Sequence, residues 1–590
     1  MEFDKALQEL YREFGCQIFQ AKFALNKGKW NEAKKEADGF VLEFSKDVYA
    51  FRLIYQLLDG KSSTTFHPQF EDLAFMVDVA RNNAPKAETF KRLIRHLALF
   101  GYSTLKIYLE DCFEVSGEPY FGYLRPRYSA AELREIVNYA DIFGIEVVPC
   151  IETLAHMKTL QKWCVYRYHF DIDDILLVGD ERMNALLENE FKSLREIFKT
   201  NRINIGFDEA MRIGRGQYLD LHGAEDPKKI MLRQLDYMIE LSERYGFKIE
   251  MWGDMFLNLG FTAEDMPKKY ASLKLINWDY EVREISEFAS TIEAFQKISP
   301  NVTVAGGAWK WLGYAPNNRF SLPHLEAFAK AAVQKRVKEF TLTAWGDNGG
   351  ECSLFAILPS IDFLANQNYG FKSQGVAFRQ MTDYSFDEFV SLDLPNATEF
   401  PYEPLHKNSL SRLYALDDLM LGIYDSCIAK EQIAIYGKVL DVLQPLASRK
   451  SRNAYLFITM RDFVEYLRAK VPLGLTLREK YHDERVAECL PMLDELALRL
   501  EKFHGSFYEQ WMKESKGIGF EVQDIRLGAV AQRIKTTKRR IEDYLSDNAK
   551  GIEELEMDIL DFYGNVDDFF KPKDLVDCRY SMMGSANLND

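Results

Sequence analysis

Short apolar runs alternate with longer amphipathic stretches from about residue 72 to about residue 370. The runs have the length of buried strands, and the stretches between them place apolar residues on one face of a helix. The predicted strands are Leu73–Val79, Thr104–Leu109, Ile145–Ile151, Ile203–Phe207, Lys248–Trp252, Leu273–Trp278, Val302–Ala305 and Lys338–Trp345. The predicted helices between them include Lys86–Phe100, Ala130–Phe143, Asn184–Lys199, Pro227–Tyr245, Arg283–Ile298 and Pro323–Lys335. This alternation predicts an α/β fold built on a (β/α)8 TIM barrel.

A doubly wound open sheet is the alternative for the same alternation. Such a sheet usually carries a Gly-rich phosphate loop after its first strand. Here the first strand is followed by Ala-Arg-Asn-Asn-Ala-Pro at residues 80–85, which is not such a loop. The sequence therefore favours the barrel.

The segments that flank the barrel have other patterns. Before it, Asp4–Phe14 and Val48–Leu58 look helical, whereas Gln17–Ala24 and Gly39–Phe44 look like strands. After it, strand patterns fade and long amphipathic helices are predicted at Ser409–Val442, Ala454–Lys470, Arg485–Lys513 and Val522–Ser546. We predict a small N-terminal α/β domain at residues 1–70, the (β/α)8 barrel at 71–375 and an all-helical C-terminal domain at 376–590.

Composition narrows the class of protein. The chain has 74 Lys and Arg against 90 Asp and Glu, a net charge of −16, which argues against nucleic acid or an anionic membrane as the main partner. The basic run at residues 535–540 is therefore interpreted as a solvated helix face. No signal peptide and no membrane-spanning stretch is predicted. The eight cysteines are scattered without CxxC spacing, so we expect a reduced, cytoplasmic protein with no zinc site.

Two adjacent carboxylates, Asp208 and Glu209, follow the fourth predicted strand. The simpler interpretation is that Asp208 caps a helix and Glu209 is exposed in its first turn. In a parallel barrel, however, the carboxyl ends of the strands face the active-site mouth. There the backbone bends, and two adjacent acids can address one ligand from different angles.

Other strand ends carry further polar candidates. Arg81 could bind sugar hydroxyls through its planar fork of donors, or could form a structural ion pair. The second strand ends at an acidic pair that includes Asp111, and the third runs into Glu152 and His156. The HExxH spacing is absent and no third ligand is evident, so no metal is predicted; His156 belongs to a polar network or to the core. Asp347 follows the eighth strand.

Five of the eight tryptophans fall at or just after predicted strand ends, at positions 252, 278, 309, 311 and 345. Several indole rings around one barrel mouth would wall a flat, partly apolar ring with polar edges, which describes a sugar. Carboxylates beside aromatic rings in a partly dry site also have the surroundings that raise the pKa of a general acid.

These motifs together resemble family 20 glycoside hydrolases, the β-N-acetylhexosaminidases. IGFDEA at 205–210 is similar to the family's Gly-x-Asp-Glu signature, PCIETLAH at 149–156 to its acid-and-His motif, and VDVAR at 77–81 to its first-strand Arg motif. LEDCF (109–113), MWGD (251–254), NWDYE (277–281) and AWGD (344–347) resemble further strands in the same order. The resemblance covers about residues 72–370, and the long helical C-terminal part resembles an intracellular bacterial branch.

The resemblance implies an exo-acting, retaining enzyme that removes a terminal β-linked N-acetylhexosamine from an oligosaccharide or glycoconjugate, without cofactor or metal. Glu209 would be the general acid and base, and Asp208 would orient the substrate's acetamido group, which acts as the nucleophile. Glu152 and His156 would support Glu209. Arg81 would match the family's substrate-binding arginine, and Asp111 and Asp347 would match its substrate-binding acids. The implied aromatic contacts are Trp252, Trp278, Trp309 and Trp345, with Tyr280 as first choice and Tyr314 as second for holding the acetamido oxygen.

Two other functional classes stay open from the sequence. A non-catalytic sugar-binding barrel would keep the tryptophan walls, although a pure binder does not need a general acid. A metal-dependent barrel lyase would use Asp111, Asp208 and Glu209 as oxygen ligands. The helical domain could also offer a dimer face, so a homodimer is a further option.

Overall fold

The structure, a computed structural model, describes residues 1–266, 270, 272–311, 313–399 and 410–562. The N-terminal part contains helices α1 (Phe3–Phe14) and α2 (Asp47–Leu58) and strands β1 (Phe23–Lys27), β2 (Glu32–Glu36), β3 (Gly39–Phe44) and β4 (Ser63–Thr65). The four strands form a sheet in the order β1-β3-β2-β4, with β1 and β3 parallel and the other pairs antiparallel.

The predicted strand Gln17–Ala24 is wrong in its first half. Residues Gln17–Gln20 form a turn of 3₁₀ helix, and β1 begins only at Phe23. The turn buries Phe19 against Phe14, with ring centroids 6.3 Å apart. The apolar residue thus contacts helix α1 instead of facing a neighbouring strand.

Eight parallel strands form a closed barrel, which confirms the predicted fold. They are β5 (Asp72–Asp78), β6 (Thr104–Tyr108), β7 (Glu146–Cys150), β8 (Arg202–Asn204), β9 (Lys248–Trp252), β10 (Lys274–Trp278), β11 (Val302–Gly307) and β12 (Glu339–Ala344). Pairing of β12 with β5, from Glu339 opposite Asp72 to Ala344 opposite Val77, closes the ring. All eight carboxyl ends therefore lie on one face of the barrel.

Helices surround the barrel, and their starts follow known capping rules. Ser129 forms a capping box with Glu132, and Asp226 caps a helix that has Pro227 in its first turn. The helices are α3 (Ala87–Phe100), α4 (Ala130–Ile142), α5 (Glu181–Ile197), α6 (Gln217–His222), α7 (Pro227–Tyr245), α8 (Asp254–Asn258), α9 (Ile285–Ile298), α10 (Asn318–Gln334) and α11 (Leu358–Asn368). Helix α10 starts five residues before the predicted Pro323, which lies inside it.

Charged side chains fill the amino-terminal end of the barrel. The Lys106 ammonium lies 2.7 Å from both Glu250 and Glu339, and Arg202 also forms ion pairs with these two acids. Below them opens a cavity of about 900 Å³. The strand-end motifs lie at the opposite face, so this network serves the barrel's structure at the end away from the candidate chemistry.

The C-terminal part is helical among the residues described. Its helices are α12 (Val376–Thr382), α13 (Phe386–Val390), α14 (Leu410–Leu416), α15 (Gln432–Ala447), α16 (Ala454–Lys470), α17 (Leu473–His482), α18 (Leu490–Glu514), α19 (Phe520–Leu545) and α20 (Glu553–Glu556). The prediction of one helix over Ser409–Val442 is wrong, and Ser409 itself lies outside the described residues. The chain turns between α14 and α15, where the Asp417 carboxylate accepts the backbone N–H groups of Ile423 and Tyr424. Within the described ranges, no helix combines the length and apolar character needed to cross a membrane. The three domain boundaries stay a prediction.

Candidate active site

The loop after β8 presents both adjacent acids to one pocket. Its backbone is left-handed at Gly206 (φ 74°), Phe207 (φ 80°) and Glu209 (φ 55°). Non-glycine residues with positive φ are uncommon in proteins as a whole, and those that occur cluster at functional sites. No helix starts at Asp208, because the next one begins at Gln217. The helix-cap interpretation of Asp208 is therefore wrong, and Asp208 and Glu209 both line the same cavity.

Glu152 is buried beneath this loop. Its side chain has no solvent exposure, and neither carboxyl oxygen has a hydrogen-bond partner among the described residues. A Cβ atom at Gly206 would lie 1.9 Å from Glu152 Oε2, so any larger residue at this position would have to displace the buried Glu152 carboxyl. Burial and the nearby charge of Asp208 raise the pKa of Glu152 well above its ordinary value.

His156 lies between the two acids. Its Nε2 is 3.3 Å from Asp208 Oδ2 and 3.6 Å from Glu209 Oε2. Its backbone N–H donates to Asp174 Oδ2 at 3.2 Å. Burial lowers the pKa of His156, but Asp208 and Glu152 outweigh burial and raise that pKa well above its ordinary value. These neighbouring acids therefore favour the protonated form of His156.

The two acids differ in their contact with solvent. The Glu209 side chain is 57% exposed, whereas that of Asp208 is 13% exposed. Partial burial and the neighbouring charge of Asp208 raise the pKa of Glu209. A carboxyl that is protonated at higher pH than usual, at the open side of a pocket, can donate a proton to a ligand.

Arg81 closes the other side of the pocket. Its guanidinium donates to Asp78 Oδ2 at 3.3 Å and lies 3.5 Å from Asp347 Oδ1. It also lies over the rings of Tyr108 and Trp345, 5.0 and 4.8 Å from their centroids. Arg81 thus forms the ion pairs of the structural interpretation and also lines the pocket, and its binding of sugar hydroxyls stays a prediction.

The structure separates the two acids that follow β6. Glu110 Oε1 lies 3.6 Å from Arg81 and accepts the Tyr108 hydroxyl at 3.0 Å. Asp111 instead accepts from Arg125 Nε at 3.1 Å and does not line the pocket. Burial raises the pKa of Glu110 to about 7. Of these two acids, Glu110 is the one that lies beside Arg81, whereas Asp111 was the one predicted from the sequence.

Aromatic rings form the remaining walls of the pocket. Trp278 stacks on Tyr280 with centroids 5.4 Å apart, and the Tyr280 hydroxyl accepts from Trp345 Nε1 at 2.8 Å. Trp252 packs 5.8 Å from Trp345. The cavity measures about 170 Å³ and is lined by Arg81, His156, Asp208, Glu209, Trp252, Trp278, Tyr280, Trp311, Trp345 and Asp347.

Two predicted aromatic contacts lie elsewhere. Trp309 stacks on the back of Trp311 at 3.7 Å, and it is Trp311 that reaches the pocket. Tyr314 is buried against Phe463 and Phe503, 5.0 and 5.2 Å away, in the helical part. Of the two tyrosines considered for the acetamido oxygen, only Tyr280 lines the cavity.

Asp254 is a further site residue that the sequence argument did not select. One of its oxygens accepts the Glu209 backbone N–H at 3.0 Å, and the other accepts Trp278 Nε1 at 3.3 Å. The sequence feature that could have identified it is its place in the MWGD motif, at the end of β9.

The ligand set of the lyase alternative is not assembled. Asp111 is held by Arg125, away from the pocket that Asp208 and Glu209 line. Across the described ranges, no group of three or more His, Cys, Asp or Glu residues has the arrangement to hold a metal ion.

Several known proteins are similar to this chain. Hexosaminidase D from Bos taurus is 22% identical over 246 residues, which is 39% of this chain and 68% of that protein. A family 20 exo-β-N-acetylglucosaminidase structure from Vibrio harveyi has a TM-score of 0.48 at 13% identity, over 65% of this chain and 71% of its own. A chitobiase structure from Flavobacterium johnsoniae has a TM-score of 0.49 at 12% identity, over 94% of this chain and 89% of its own.

Two family models match separate parts of the chain. The catalytic domain of glycosyl hydrolase family 20 matches residues 70–265, which include Arg81, Glu152, His156 and the Asp208-Glu209 pair. The glycoside hydrolase 20C C-terminal domain matches residues 387–571. Because one model covers the strands that carry the paired acids and the other covers the helical region, the chain belongs to glycoside hydrolase family 20 and is a glycoside hydrolase.

Proposed function

We propose that the protein is an exo-acting, retaining β-N-acetylhexosaminidase that uses the substrate's own acetamido group as nucleophile. The observation that carries this proposal is the adjacent pair Asp208 and Glu209, both facing one aromatic pocket with His156 between them. Family 20 enzymes work by substrate assistance instead of a second protein carboxylate at the anomeric carbon.

In the first step Glu209 gives its proton to the glycosidic oxygen as the bond to the anomeric carbon breaks. The acetamido oxygen forms a new bond to that carbon, which produces an oxazolinium ring and a neutral leaving group. Asp208 accepts the acetamido N–H and balances the positive charge on the ring. Attack from within the substrate gains from proximity, up to roughly 7–11 kcal/mol in favourable cases.

In the second step the Glu209 carboxylate takes a proton from water, and the water oxygen bonds to the anomeric carbon. The oxazolinium ring opens, and the sugar leaves with its original β configuration. Tyr280 is the candidate to hold the acetamido oxygen, since its hydroxyl lies in the pocket wall and already accepts from Trp345. Glu152, buried beneath Gly206, supports the loop that carries both acids.

Arg81 and Asp347, 3.5 Å apart, would bind the outer hydroxyls of the terminal sugar. A pocket closed on that side accepts only a chain end, which supports exo action. The substrate is therefore an oligosaccharide or glycoconjugate with a terminal β-linked N-acetylhexosamine. The cytoplasmic location and the homodimer stay predictions, which cell fractionation and sedimentation would measure.

The Glu209→Gln variant tests the role of the acid. Loss of the proton donor should lower kcat/KM on p-nitrophenyl β-N-acetylglucosaminide by about 100-fold or more. Full activity in this variant would mean that another group protonates the leaving oxygen, and the role assigned to Glu209 would be wrong.

A further inference from the structure

The Asp254 carboxylate joins the catalytic loop to the aromatic wall. It lies at the start of α8, directly after β9, and its Oδ2 accepts the Glu209 backbone N–H at 3.0 Å. Its Oδ1 accepts the indole N–H of Trp278 at 3.3 Å. One side chain thus fixes both the backbone beneath the acid and the ring that walls the sugar.

The Glu209 backbone needs such a partner. Its φ of 55° is left-handed, a conformation that persists only where the surroundings hold it. The Glu209 side chain is 57% exposed, and its contact with His156 is 3.6 Å long. Because the side chain is loosely held, the backbone sets how far its carboxyl reaches into the pocket.

The charged form of Asp254 is disfavoured at this position. Burial and the charge of Asp208 raise the pKa of Asp254 to about 7, from an ordinary value of 3.8. An asparagine would avoid that repulsion but has only one acceptor oxygen, so it could accept one of the two hydrogen bonds. A carboxylate is the side chain that accepts both.

We propose that Asp254 is a positioning residue that sets the reach of Glu209 toward the leaving-group oxygen and aligns it with the Trp278 wall. The proposal rests on Glu209 being the general acid. A misplaced acid harms substrates in proportion to their need for protonation. Dinitrophenolate departs without a proton, whereas an unactivated phenol or a sugar needs one.

The test compares kcat/KM of wild type, Asp254→Asn and Asp254→Ala on aryl β-N-acetylglucosaminides of rising leaving-group pKa, from 2,4-dinitrophenyl to phenyl. We expect about a tenfold to hundredfold loss on the phenyl substrate, since a displacement near 1 Å costs this much. The loss on the dinitrophenyl substrate should stay within about threefold, because that substrate does not use the acid. The plot of rate against leaving-group pKa should therefore become steeper.

The matched control is Trp278→Phe, which keeps a ring in the wall but removes the N–H that Asp254 accepts. Its effect should be equal for all leaving groups. An equal loss for all leaving groups in the Asp254 variants would overturn the proposal, and so would no loss at all. If Asp254→Ala does not fold, the result for Asp254→Asn tests the proposal. A weak dependence of rate on leaving-group pKa in Glu209→Gln would instead refute the assignment of Glu209 as general acid.

Discussion

Neighbouring carboxylates acquire different properties in this pocket because their surroundings differ. Asp208 is mostly buried against His156, whereas Glu209 stands at the open side with a raised pKa. Two titratable groups of one type, separated by environment, are the usual way to obtain an acid and a stabilising anion side by side. The proposed role of Glu209 as general acid depends on its protonation, so we expect activity to depend on pH.

Activity on substrates with poor leaving groups should fall as pH rises through the raised pKa of Glu209. The acid must carry its proton in the first step, and a raised pKa keeps that proton at higher pH than an ordinary glutamate would. A profile of kcat/KM against pH measures this basic limb. In Glu209→Gln the limb should disappear; a limb that persists unchanged there would belong to another group.

Glu110 should make stability depend on pH. Its pKa is raised from 4.5 to about 7 by burial, so the folded state binds its proton more tightly than the unfolded state. The native state is then penalised progressively as pH rises from about 4.5 to about 7, by roughly 3 kcal/mol in all. In thermal unfolding, the stability of Glu110→Gln relative to that of wild type should therefore increase between pH 5 and pH 8. A constant difference across that range would contradict this.

At the scale of the element, the loop after β8 depends on glycine. Gly206 has φ 74° and touches Glu152, whereas Gly246, which ends α7, has φ 70° and open space around its Cβ position. An alanine would meet similar backbone strain at both positions, but only at Gly206 would its Cβ also conflict with a buried side chain. The pair therefore separates strain from packing.

Gly206→Ala should lower activity by about 100-fold or more, because displacement of this loop moves both acids. Gly246→Ala should keep wild-type activity and lose only about 1–2 kcal/mol of stability from its positive φ. Enzyme assays and thermal unfolding of both variants measure the difference. Equal effects of the two substitutions would show that Glu152 does not constrain the loop.

The ends of the barrel strands were predictable, because each strand is a short apolar run and a polar residue marks where it stops. The predicted Lys248–Trp252 is identical to β9. The choice between Glu110 and Asp111 was not predictable, because Glu110 has φ 42° and a left-handed residue breaks the alternation on which the argument relies. Asp254 was passed over because hydrogen bonds to another loop cannot be read from one strand.

At the scale of the whole molecule, the helical part holds the loop that follows β12. Arg526 of α19 donates to Asn348 O and Oδ1, each at 2.7 Å, and lies 2.9 Å from Glu351. Asn348 directly follows Asp347 of the pocket. The placement of Tyr314 has the same origin, because helices distant in sequence decide where its ring packs.

Arg526→Ala should raise KM, since Asp347 would lose its fixed position. It should also destabilise the fold by about 1–3 kcal/mol, because Glu351 would lose one of its buried partners and keep Arg412. Arg539→Ala on the same helix is the matched control, because that side chain is 83% exposed. The control should change stability by less than about 0.5 kcal/mol. Thermal unfolding and Michaelis–Menten kinetics test both variants; an unchanged KM in Arg526→Ala would contradict the link to the pocket.

The most direct test of substrate assistance is turnover of p-nitrophenyl β-N-acetylglucosaminide beside the matching glucoside, which has a 2-hydroxyl group, each with and without EDTA. We expect turnover of the acetamido substrate alone, and we expect EDTA to have no effect on that turnover. Comparable turnover of the glucoside would mean that the acetamido group is dispensable. Asp208 would then need another role, and the proposed mechanism would be wrong.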